Sequence, residues 1–167
     1  FGGGEYIAGL ATQRTDAGFI GAEPFINGVA SLLRHMQDDN IENIRIWDDD
    51  VRLIFASLAD ASLAGAYVMF PDPWPKKRHA GRRILQVDVM DSLARLIRPG
   101  GSLVMASDDP TAKSWLLKAA MRHPAFAWTA RCADDWQTRP ACLPATRYMK
   151  KAENEARRPA WFIFTRS

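Results

Sequence analysis

Residues 17–50, AGFIGAEPFINGVASLLRHMQDDNIENIRIWDDD, alternate between two short apolar runs and one longer amphipathic run. Ala17 to Glu23 is typical of a strand that ends on an acid, and Ile44 to Trp47 of a strand that runs into three aspartates. Between them, apolar residues recur at helical spacing from Phe25 to Asp38. This order predicts two parallel strands joined by a helical crossover, the unit from which α/β folds are built.

The same alternation continues towards the C-terminus. Ala66 to Phe70 is nearly all apolar, as strands buried on both faces of a sheet are. Ile84 to Ile97 predicts an amphipathic helix that Pro99-Gly100-Gly101 ends, and Ser102 to Ala106 predicts the next strand. The remaining predicted elements are a helix and two aromatic-rich strands that pair as an antiparallel hairpin or as neighbours, at Thr111 to Arg122, Phe126 to Arg131 and Trp161 to Thr165. Together they predict an α/β fold with a mostly parallel sheet and an antiparallel C-terminal strand.

Composition limits the class of protein. The chain has 167 residues, of which 47% are hydrophobic and 25% charged, as expected for one globular domain over residues 1–167. Its apolar runs are far shorter than the ~20 residues that cross a bilayer. Its two cysteines are too few for a secreted disulfide scaffold, so we expect a cytoplasmic protein with no membrane contact. The three histidines are scattered and predict no metal site.

A glycine loop opens the chain at Phe1-Gly2-Gly3-Gly4-Glu5 and leads into a stretch typical of a helix. Glycine permits positive φ and close approach of the backbone to a ligand. Ile7 stands where a dinucleotide-binding fold has its third glycine, and no Gly-Lys-Ser/Thr follows, so neither a nicotinamide site nor a phosphate loop is predicted. Because such a loop normally follows a strand, we expect the sequence to be a fragment that lacks its first strand.

Acids follow the predicted strands and suit a different nucleotide cofactor. S-adenosylmethionine has no pyrophosphate, and its methionine and ribose call for glycine backbone, here at Gly2 and Gly4, together with carboxylates. Glu23 can accept both ribose hydroxyls, and Asp49 or the adjacent Asp50 can accept from the adenine amino group. The alternative for each acid is a helix N-cap.

The segment FPDPWPKKRH, residues 70–79, takes a buried strand into three prolines and a tryptophan. Prolines fix φ, so this loop is predicted to be rigid. Its one carboxylate, Asp72, can accept two hydrogen bonds from the N1–H and N2–H₂ edge of guanine, while Trp74 either stacks on a base or anchors the core. The cations that follow, Lys76 and Arg78 among them, predict contacts with phosphates, and a solvated charge run is the alternative.

Ligands of parallel sheets bind outside the carboxyl ends of the strands. We therefore expect the residues that follow each strand to line one edge, namely Gly2 to Glu5, Glu23, Asp49, Asp72 and Ser107-Asp108.

The longer stretch FPDPWPKKRHAGRRI, residues 70–84, resembles the signature of the bacterial tRNA (guanine-N7-)-methyltransferase family. The resemblance extends over essentially the whole chain, because the glycine loop, residues 20–33, Ser107-Asp108 and residues 144–148 are each similar to a family segment. Two departures stand out. The first three residues of the family's glycine loop would precede Phe1, and Met149 stands where the family has glutamate.

The resemblance implies a Rossmann-like class I methyltransferase with helices on both faces of the sheet. Such an enzyme uses S-adenosylmethionine to methylate N7 of the variable-loop guanine at position 46 of tRNA, as a monomer or a homodimer. Carried onto this chain, the family pattern puts Glu23, Asp49 and Asp72 on cofactor positions and makes Asp72 the catalytic residue. The implied tRNA contacts are Lys76, Asp108, Thr146, Arg147 and Tyr148.

Other functions stay open at the level of sequence. A methyltransferase for another base, a protein or a small molecule shares the fold, although a small substrate would not need the cations of residues 76–83. An RNA-binding module with an impaired cofactor site is favoured if the first strand is truly absent. A nicotinamide oxidoreductase is disfavoured by Ile7 and by the lack of a Tyr-x-x-x-Lys motif.

Overall fold

The structure is a computed structural model that describes residues 1–144 and 157–167. These residues form two compact units, one of residues 1–57 with 141–144 and one of residues 58–140 with 157–167. The single domain expected over residues 1–167 is not tested by this division and stays a prediction. No helix in the described part of the chain combines the length and the apolar character that crossing a bilayer requires.

The first unit consists of a helix and a strand–helix–strand crossover. Its elements are α1 (Glu5–Gln13), β1 (Phe19–Ala22), α2 (Ile26–Asp38), β2 (Ile44–Trp47) and a short α3 (Val51–Ile54) that continues into a 3₁₀ turn (Phe55–Ser57). β1 and β2 pair in parallel, with Phe19 opposite Ile44. The crossover predicted from residues 17–50 is therefore confirmed, with boundaries displaced by only one or two residues.

The core of the first unit is built where α1 meets α2 and β2. Buried apolar side chains from these elements and from the connection between α2 and β2 form one cluster, made of Ile7, Ala8, Ala11, Leu32, Ile41 and Ile44. Asn43 fixes the start of β2 beside this cluster, because its side-chain amide donates to the carbonyl oxygens of Ala11, Arg14 and Ala17 at 2.9–3.1 Å. The bond to Ala11 satisfies a carbonyl in the last turn of α1, where carbonyls have no partner within the helix.

The second unit is an open sheet with helices. Its elements are β3 (Leu63–Met69), a 3₁₀ segment (Lys77–Arg82), α4 (Val87–Leu96), β4 (Ile97–Ser107), α5 (Pro110–Arg122), β5 (Phe126–Trp128), α6 (Asp134–Gln137) and β6 (Ala160–Arg166). The strand order is β3-β4-β6-β5, in which β3 and β4 are parallel and β6 is antiparallel to both of its neighbours. The predicted α/β fold with an antiparallel C-terminal strand is confirmed.

The Pro-Gly-Gly segment differs from its prediction, because it lies inside β4 instead of before it. The register with β3 passes from Leu63 opposite Ile97 to Gly65 opposite Ser102, so residues 98–101 form a bulge. Gly100 has φ of 76°, and a Cβ on Gly101 would lie 2.7 Å from the Ala64 carbonyl oxygen. Glycine thus lets the strand bulge and resume its pairing.

β3 also differs from its prediction, because none of its residues is fully buried. It stands at one end of the four-stranded sheet order, and Tyr67 is 44% exposed. β4, which has a neighbour on each side, buries Leu103 and Met105 completely. Apolar composition alone therefore did not distinguish an end strand from a central one.

Candidate functional site

The glycine loop, residues 1–4, is a tight turn in which the Gly4 N–H donates to the Phe1 carbonyl oxygen at 3.2 Å. Gly2 and Gly4 have φ of 60° and 84°, a left-handed conformation that residues with a Cβ rarely adopt. α1 begins at Glu5, with Gly4 as its N-cap. The predicted loop that opens a helix is confirmed, and its backbone conformation accounts for two of the three glycines.

Helix α2 supports the glycine loop from one side. The Ser31 hydroxyl donates to the Gly3 carbonyl oxygen at 2.7 Å. A Cβ on Gly28 would lie 2.5 Å from the Gly2 carbonyl oxygen, and one on Gly4 would lie 2.7 Å from the Leu32 Cβ. Sequence reasoning missed Gly28 and Ser31, although their spacing of three puts both on one face of α2.

The Glu23 carboxylate ties the glycine loop to the end of β1. It is only 7% exposed, and it accepts hydrogen bonds from the backbone N–H groups of Gly2 at 2.7 Å and Phe25 at 3.0 Å, with the Phe1 nitrogen at 3.3 Å. The Glu23 N–H itself donates to the Trp47 carbonyl oxygen at 3.0 Å, which joins the ends of β1 and β2. A carboxylate has about four lone-pair positions, so Glu23 keeps room for one further donor and not for the two ribose hydroxyls expected from the sequence.

The two candidate acids after β2 have different surroundings. Asp50 is the N-cap of α3: its carboxylate accepts the Arg52 N–H at 2.9 Å and also pairs with the Arg52 guanidinium. Hydrogen bonds from that guanidinium lower the pKa of Asp50. Asp49 is exposed, and the contact described for its carboxylate is with the Asp50 N–H at 2.6 Å. Asp50 therefore has the N-cap role, while Asp49 is the acid that faces solvent.

The proline loop, residues 70–75, follows β3 and has a strained backbone. Phe70 and Trp74 have φ of 49° and 40°, which is unusual for residues other than glycine. The loop starts where the Phe70 N–H donates to the Ala106 carbonyl oxygen at 2.8 Å, so the carboxyl ends of β3 and β4 are adjacent. Asp72 is exposed and has no hydrogen-bond partner among residues 1–144 and 157–167. The loop thus presents a carboxylate to solvent at the sheet edge.

The cations after the proline loop divide into two groups. Lys76, Lys77 and Arg78 are exposed. The Arg82 guanidinium lies over the ring of Trp74, 4.9 Å from its centroid, and the Arg83 Nη2 donates to the Trp74 carbonyl oxygen at 3.1 Å. The His79 ring also meets the Trp74 ring edge-on at 5.7 Å. Trp74 therefore anchors the 3₁₀ segment that follows the loop, which favours the anchoring alternative over base stacking.

The end of β4 contributes a second acid, beside Asp72, to the sheet edge of the second unit. Asp108 is 15% exposed at its side chain and pairs with the Arg157 guanidinium at 3.1 Å. Arg157 comes to this edge because Ala160, at the start of β6, pairs with Ser107. The neighbouring Asp109 is the N-cap of α5 and accepts the N–H groups of Thr111 and Ala112.

The structure thus brings the predicted residues together in two groups. The glycine loop contacts Glu23 in the first unit, and the strand ends before Asp72 and Asp108 are adjacent in the second. That all of them share one edge stays a prediction. Three predicted tRNA contacts lie outside the described residues, namely Thr146, Arg147 and Tyr148. Within the described ranges, no group of three His, Cys, Asp or Glu side chains could hold a metal ion.

Comparison with known proteins gives a consistent family. A family model described as "Putative methyltransferase" matches residues 1–162. The chain is 45% identical over 166 residues to a tRNA (guanine-N(7)-)-methyltransferase of Rhodospirillum rubrum, covering 99% of this chain and 65% of that protein. It is 46% identical over 167 residues to the protein of the same name from Paramagnetospirillum magneticum, covering 99% of this chain and 69% of the relative. The chain thus spans about two thirds of the length of these relatives.

A solved structure shares the fold at low sequence identity. An rRNA methylase from Streptococcus thermophilus superposes with a TM-score of 0.64 at 13% identity, covering 99% of this chain and 81% of that one. Likeness at this identity concerns the fold alone, and it agrees with the Rossmann-like methyltransferase architecture expected from the sequence.

Proposed function

This chain belongs to the methyltransferase family whose model matches residues 1–162, and we propose that it transfers a methyl group from S-adenosylmethionine to N7 of a guanine in tRNA. The shared name of the matched relatives supports this substrate. The structural observation that carries the proposal is the proline loop, which holds Asp72 in solvent at the end of β3, directly before three exposed cations. A carboxylate beside a cationic surface suits a base within a polyanion.

The residues of the first unit fit S-adenosylmethionine. A Cβ on Gly28 would clash with the Gly2 carbonyl oxygen. Because Gly28 has none, α2 packs directly against the backbone of the glycine loop. The buried Glu23 carboxylate keeps room for one donor, which suits a ribose hydroxyl, and the solvent-facing Asp49 suits the adenine amino group. Gly2 and Gly4 carry no Cβ, so the methionine end can approach the loop closely. When bound, S-adenosylmethionine supplies a sulfonium methyl group that the N7 lone pair of guanine can attack.

Asp72 orients the base in this proposal and removes no proton. N7 of guanine carries a lone pair and no hydrogen, so the reaction needs no general base. Catalysis then depends on holding N7 in line with the methyl group, and orientation of this kind contributes several kcal/mol, up to about 7–11 in favourable cases. An exposed carboxylate on a rigid loop can accept from both N1–H and N2–H₂ of guanine, which fixes the plane of the base.

The exposed cations supply tRNA affinity. Lys76 and Arg78 contact phosphates that flank the target, and the base must leave its stack to be reached. Asp108 belongs to the tRNA-binding edge with its partner Arg157, and we assign Thr146, Arg147 and Tyr148 to tRNA contacts by their match to the family segment. A cytoplasmic location and a monomeric or homodimeric state complete the proposal.

Nucleoside mass spectrometry tests the activity directly. Unmodified tRNA transcript is incubated with the protein and S-adenosylmethionine, digested, and searched for 7-methylguanosine at the variable loop. We expect the modified nucleoside to appear and to vanish when that guanine is replaced by adenine. Methylation of a different nucleoside would favour an enzyme for another RNA base. Binding of tRNA without product, and without heat on titration with S-adenosylmethionine, would favour an RNA-binding module.

The orienting role of Asp72 is tested with a guanine analogue. Inosine keeps N7 and N1–H but lacks the 2-amino group. If Asp72 binds both groups, placing inosine at the target lowers the single-turnover rate of the wild-type protein by about tenfold, the value of one lost hydrogen bond to a charged group. In Asp72→Asn the rate on guanine falls, and inosine causes little further loss. Equal losses from inosine in both proteins would show that Asp72 does not contact the 2-amino group.

A further inference from the structure

Two of the basic residues in the signature segment contact the preceding loop of the protein itself. The sequence presents Lys76, Lys77, Arg78, Arg82 and Arg83 as one cationic run. The structure leaves the first three in solvent, whereas Arg82 covers the Trp74 ring and Arg83 binds the Trp74 carbonyl oxygen. The run therefore divides into cations that face solvent and cations that contact the preceding loop.

The proline loop can be held mainly through its carbonyl oxygens. Pro71, Pro73 and Pro75 have no N–H group, so alternate residues of the loop cannot donate. Two consecutive carbonyls are bound from outside the loop: Trp115 Nε1 of α5 donates to that of Pro73 at 3.0 Å, and Arg83 Nη2 to that of Trp74 at 3.1 Å. Both bonds lie within two residues of Asp72.

The backbone beside these bonds is in a conformation that needs support. Trp74 has φ of 40°, and a bulky residue keeps a left-handed conformation only where its surroundings over-determine it. Trp115 is 7% exposed and comes from a helix distant in the chain, so its bond ties the loop to the core of the second unit. Arg83 is half-buried, as expected for a cation used internally.

We propose that Arg83 and Trp115 are positioning residues that hold the turn carrying Asp72, and that they act on the rate of methyl transfer without contacting the tRNA. This inference rests on the proposed function, since it takes Asp72 as the group that orients guanine. Loss of either donor frees one carbonyl of the loop, and Asp72 then samples positions in which the base is misaligned. A displacement of about 1 Å costs up to 100-fold in rate, so a partial loosening should cost about tenfold.

The first test separates rate from affinity. Arg83→Met keeps most of the side-chain length but has no donor, and Trp115→Phe keeps an aromatic ring but has no N–H. We expect each to lower the single-turnover rate at saturating tRNA by about tenfold, and to leave the slope of log affinity against log salt unchanged, because that slope counts phosphate contacts. Arg83→Lys restores a donor and should recover part of the rate. A reduced salt slope in Arg83→Met would instead make Arg83 a phosphate contact and overturn the proposal.

The second test asks whether the donors act through Asp72. The rate of the double variant Arg83→Met with Asp72→Asn should match that of Asp72→Asn alone, because the orienting group is already lost. If the two losses multiplied independently, the proposal would be contradicted.

Two substitutions away from the loop serve as controls. Arg122→Met replaces an exposed arginine at the end of α5, and Trp128→Phe removes an indole that packs on Phe162 and Phe164. Neither should change the rate.

A third readout does not depend on activity. Backbone order parameters from NMR at the Asp72 and Trp74 amides should fall from the rigid value of about 0.85 towards 0.6 in Arg83→Met and Trp115→Phe. Unchanged values would overturn the proposal even if the rates fell. If the wild-type protein made no 7-methylguanosine, the proposed function would fail, and the order parameters would still decide whether these two donors hold the turn.

Discussion

The adjacent aspartates Asp49 and Asp50 have different roles in this protein. Asp49 and Asp50 are adjacent after β2, yet one faces solvent and the other caps α3 and pairs with Arg52. The sequence offered both as cofactor contacts and both as N-caps. Local backbone geometry separates them, because only the residue directly before the helix can accept the N–H groups of its first turn.

The difference predicts opposite effects of two matched substitutions. The Arg52 guanidinium holds the pKa of Asp50 below the ordinary value of an aspartate. The stability that this pair contributes is therefore present above the ordinary pKa and is lost as the pH falls through the lower pKa of the folded state. Asp50→Asn keeps an N-cap but loses the ion pair, which is partly exposed, so the loss at neutral pH should stay under about 1 kcal/mol. Urea unfolding from pH 2 to 7 measures it, and the gap to wild type should close at the acid end.

Asp49→Asn should show the reverse pattern. It leaves the unfolding free energy unchanged, because its carboxylate contacts only the next backbone N–H among described residues, and it weakens S-adenosylmethionine binding on calorimetric titration. If Asp50→Asn were the variant that weakened binding, the two assignments would have to be exchanged.

At the scale of elements, the glycine loop owes its shape to α2 as much as to its own glycines. Gly28 and Ser31 lie on the face of α2 that meets the loop, and Glu23 joins the loop to the end of β1. The loop is therefore held by a helix, a hydroxyl and a buried carboxylate that all belong to the crossover of residues 17–50. Sequence pattern predicted that crossover but not this contact.

Gly28→Ala tests the packing of helix on loop. Alanine raises helix propensity by about 1 kcal/mol, but its Cβ would lie 2.5 Å from the Gly2 carbonyl oxygen, and overpacking against backbone costs about 1–3 kcal/mol. We expect a small net loss of stability and a loss of S-adenosylmethionine affinity of about tenfold, as the loop moves away from Glu23. Asn27→Ala is the control: this position is exposed, so alanine raises the helix propensity there without a clash. We expect this variant to bind the cofactor normally. Normal binding by Gly28→Ala would mean that the loop tolerates displacement.

Most elements were predictable because their patterns are local. The helices α2 and α5 and the strands β1, β2 and β6 follow from apolar spacing and were placed within one or two residues. The helix before Pro-Gly-Gly ends at Leu96, as predicted, but the sequence does not show that the segment lies in a bulge of β4, because Pro-Gly-Gly has the same composition in a turn and in an irregular strand. The exposure of β3 and the bond from Trp115 to the Pro73 carbonyl, 42 residues apart, depend on tertiary neighbours that spacing does not encode.

For the whole molecule, the distribution of charge matters more than its sum. The chain has 22 basic and 19 acidic residues among Lys, Arg, Asp and Glu, a net charge of +3. So small an excess attracts a polyanion only weakly from a distance. If the proposed function is right, affinity for tRNA comes from local contacts, and the exposed cations after the proline loop are the candidates at the proposed site.

Two variants of equal net charge separate local contact from overall charge. Replacing Lys76 and Arg78 by alanine lowers the net charge from +3 to +1, and replacing Lys118 and Arg122 on α5 does the same. All four side chains are exposed, but only the first pair follows the proline loop.

Each phosphate contact contributes about 0.7–0.9 to the slope of log affinity against log salt concentration. The slope should therefore fall by about 1.4–1.8 in the first variant and hardly change in the second. Filter binding of tRNA over a salt series measures both. Equal losses would make the attraction a property of net charge, and the assignment of Lys76 and Arg78 as phosphate contacts would then be wrong.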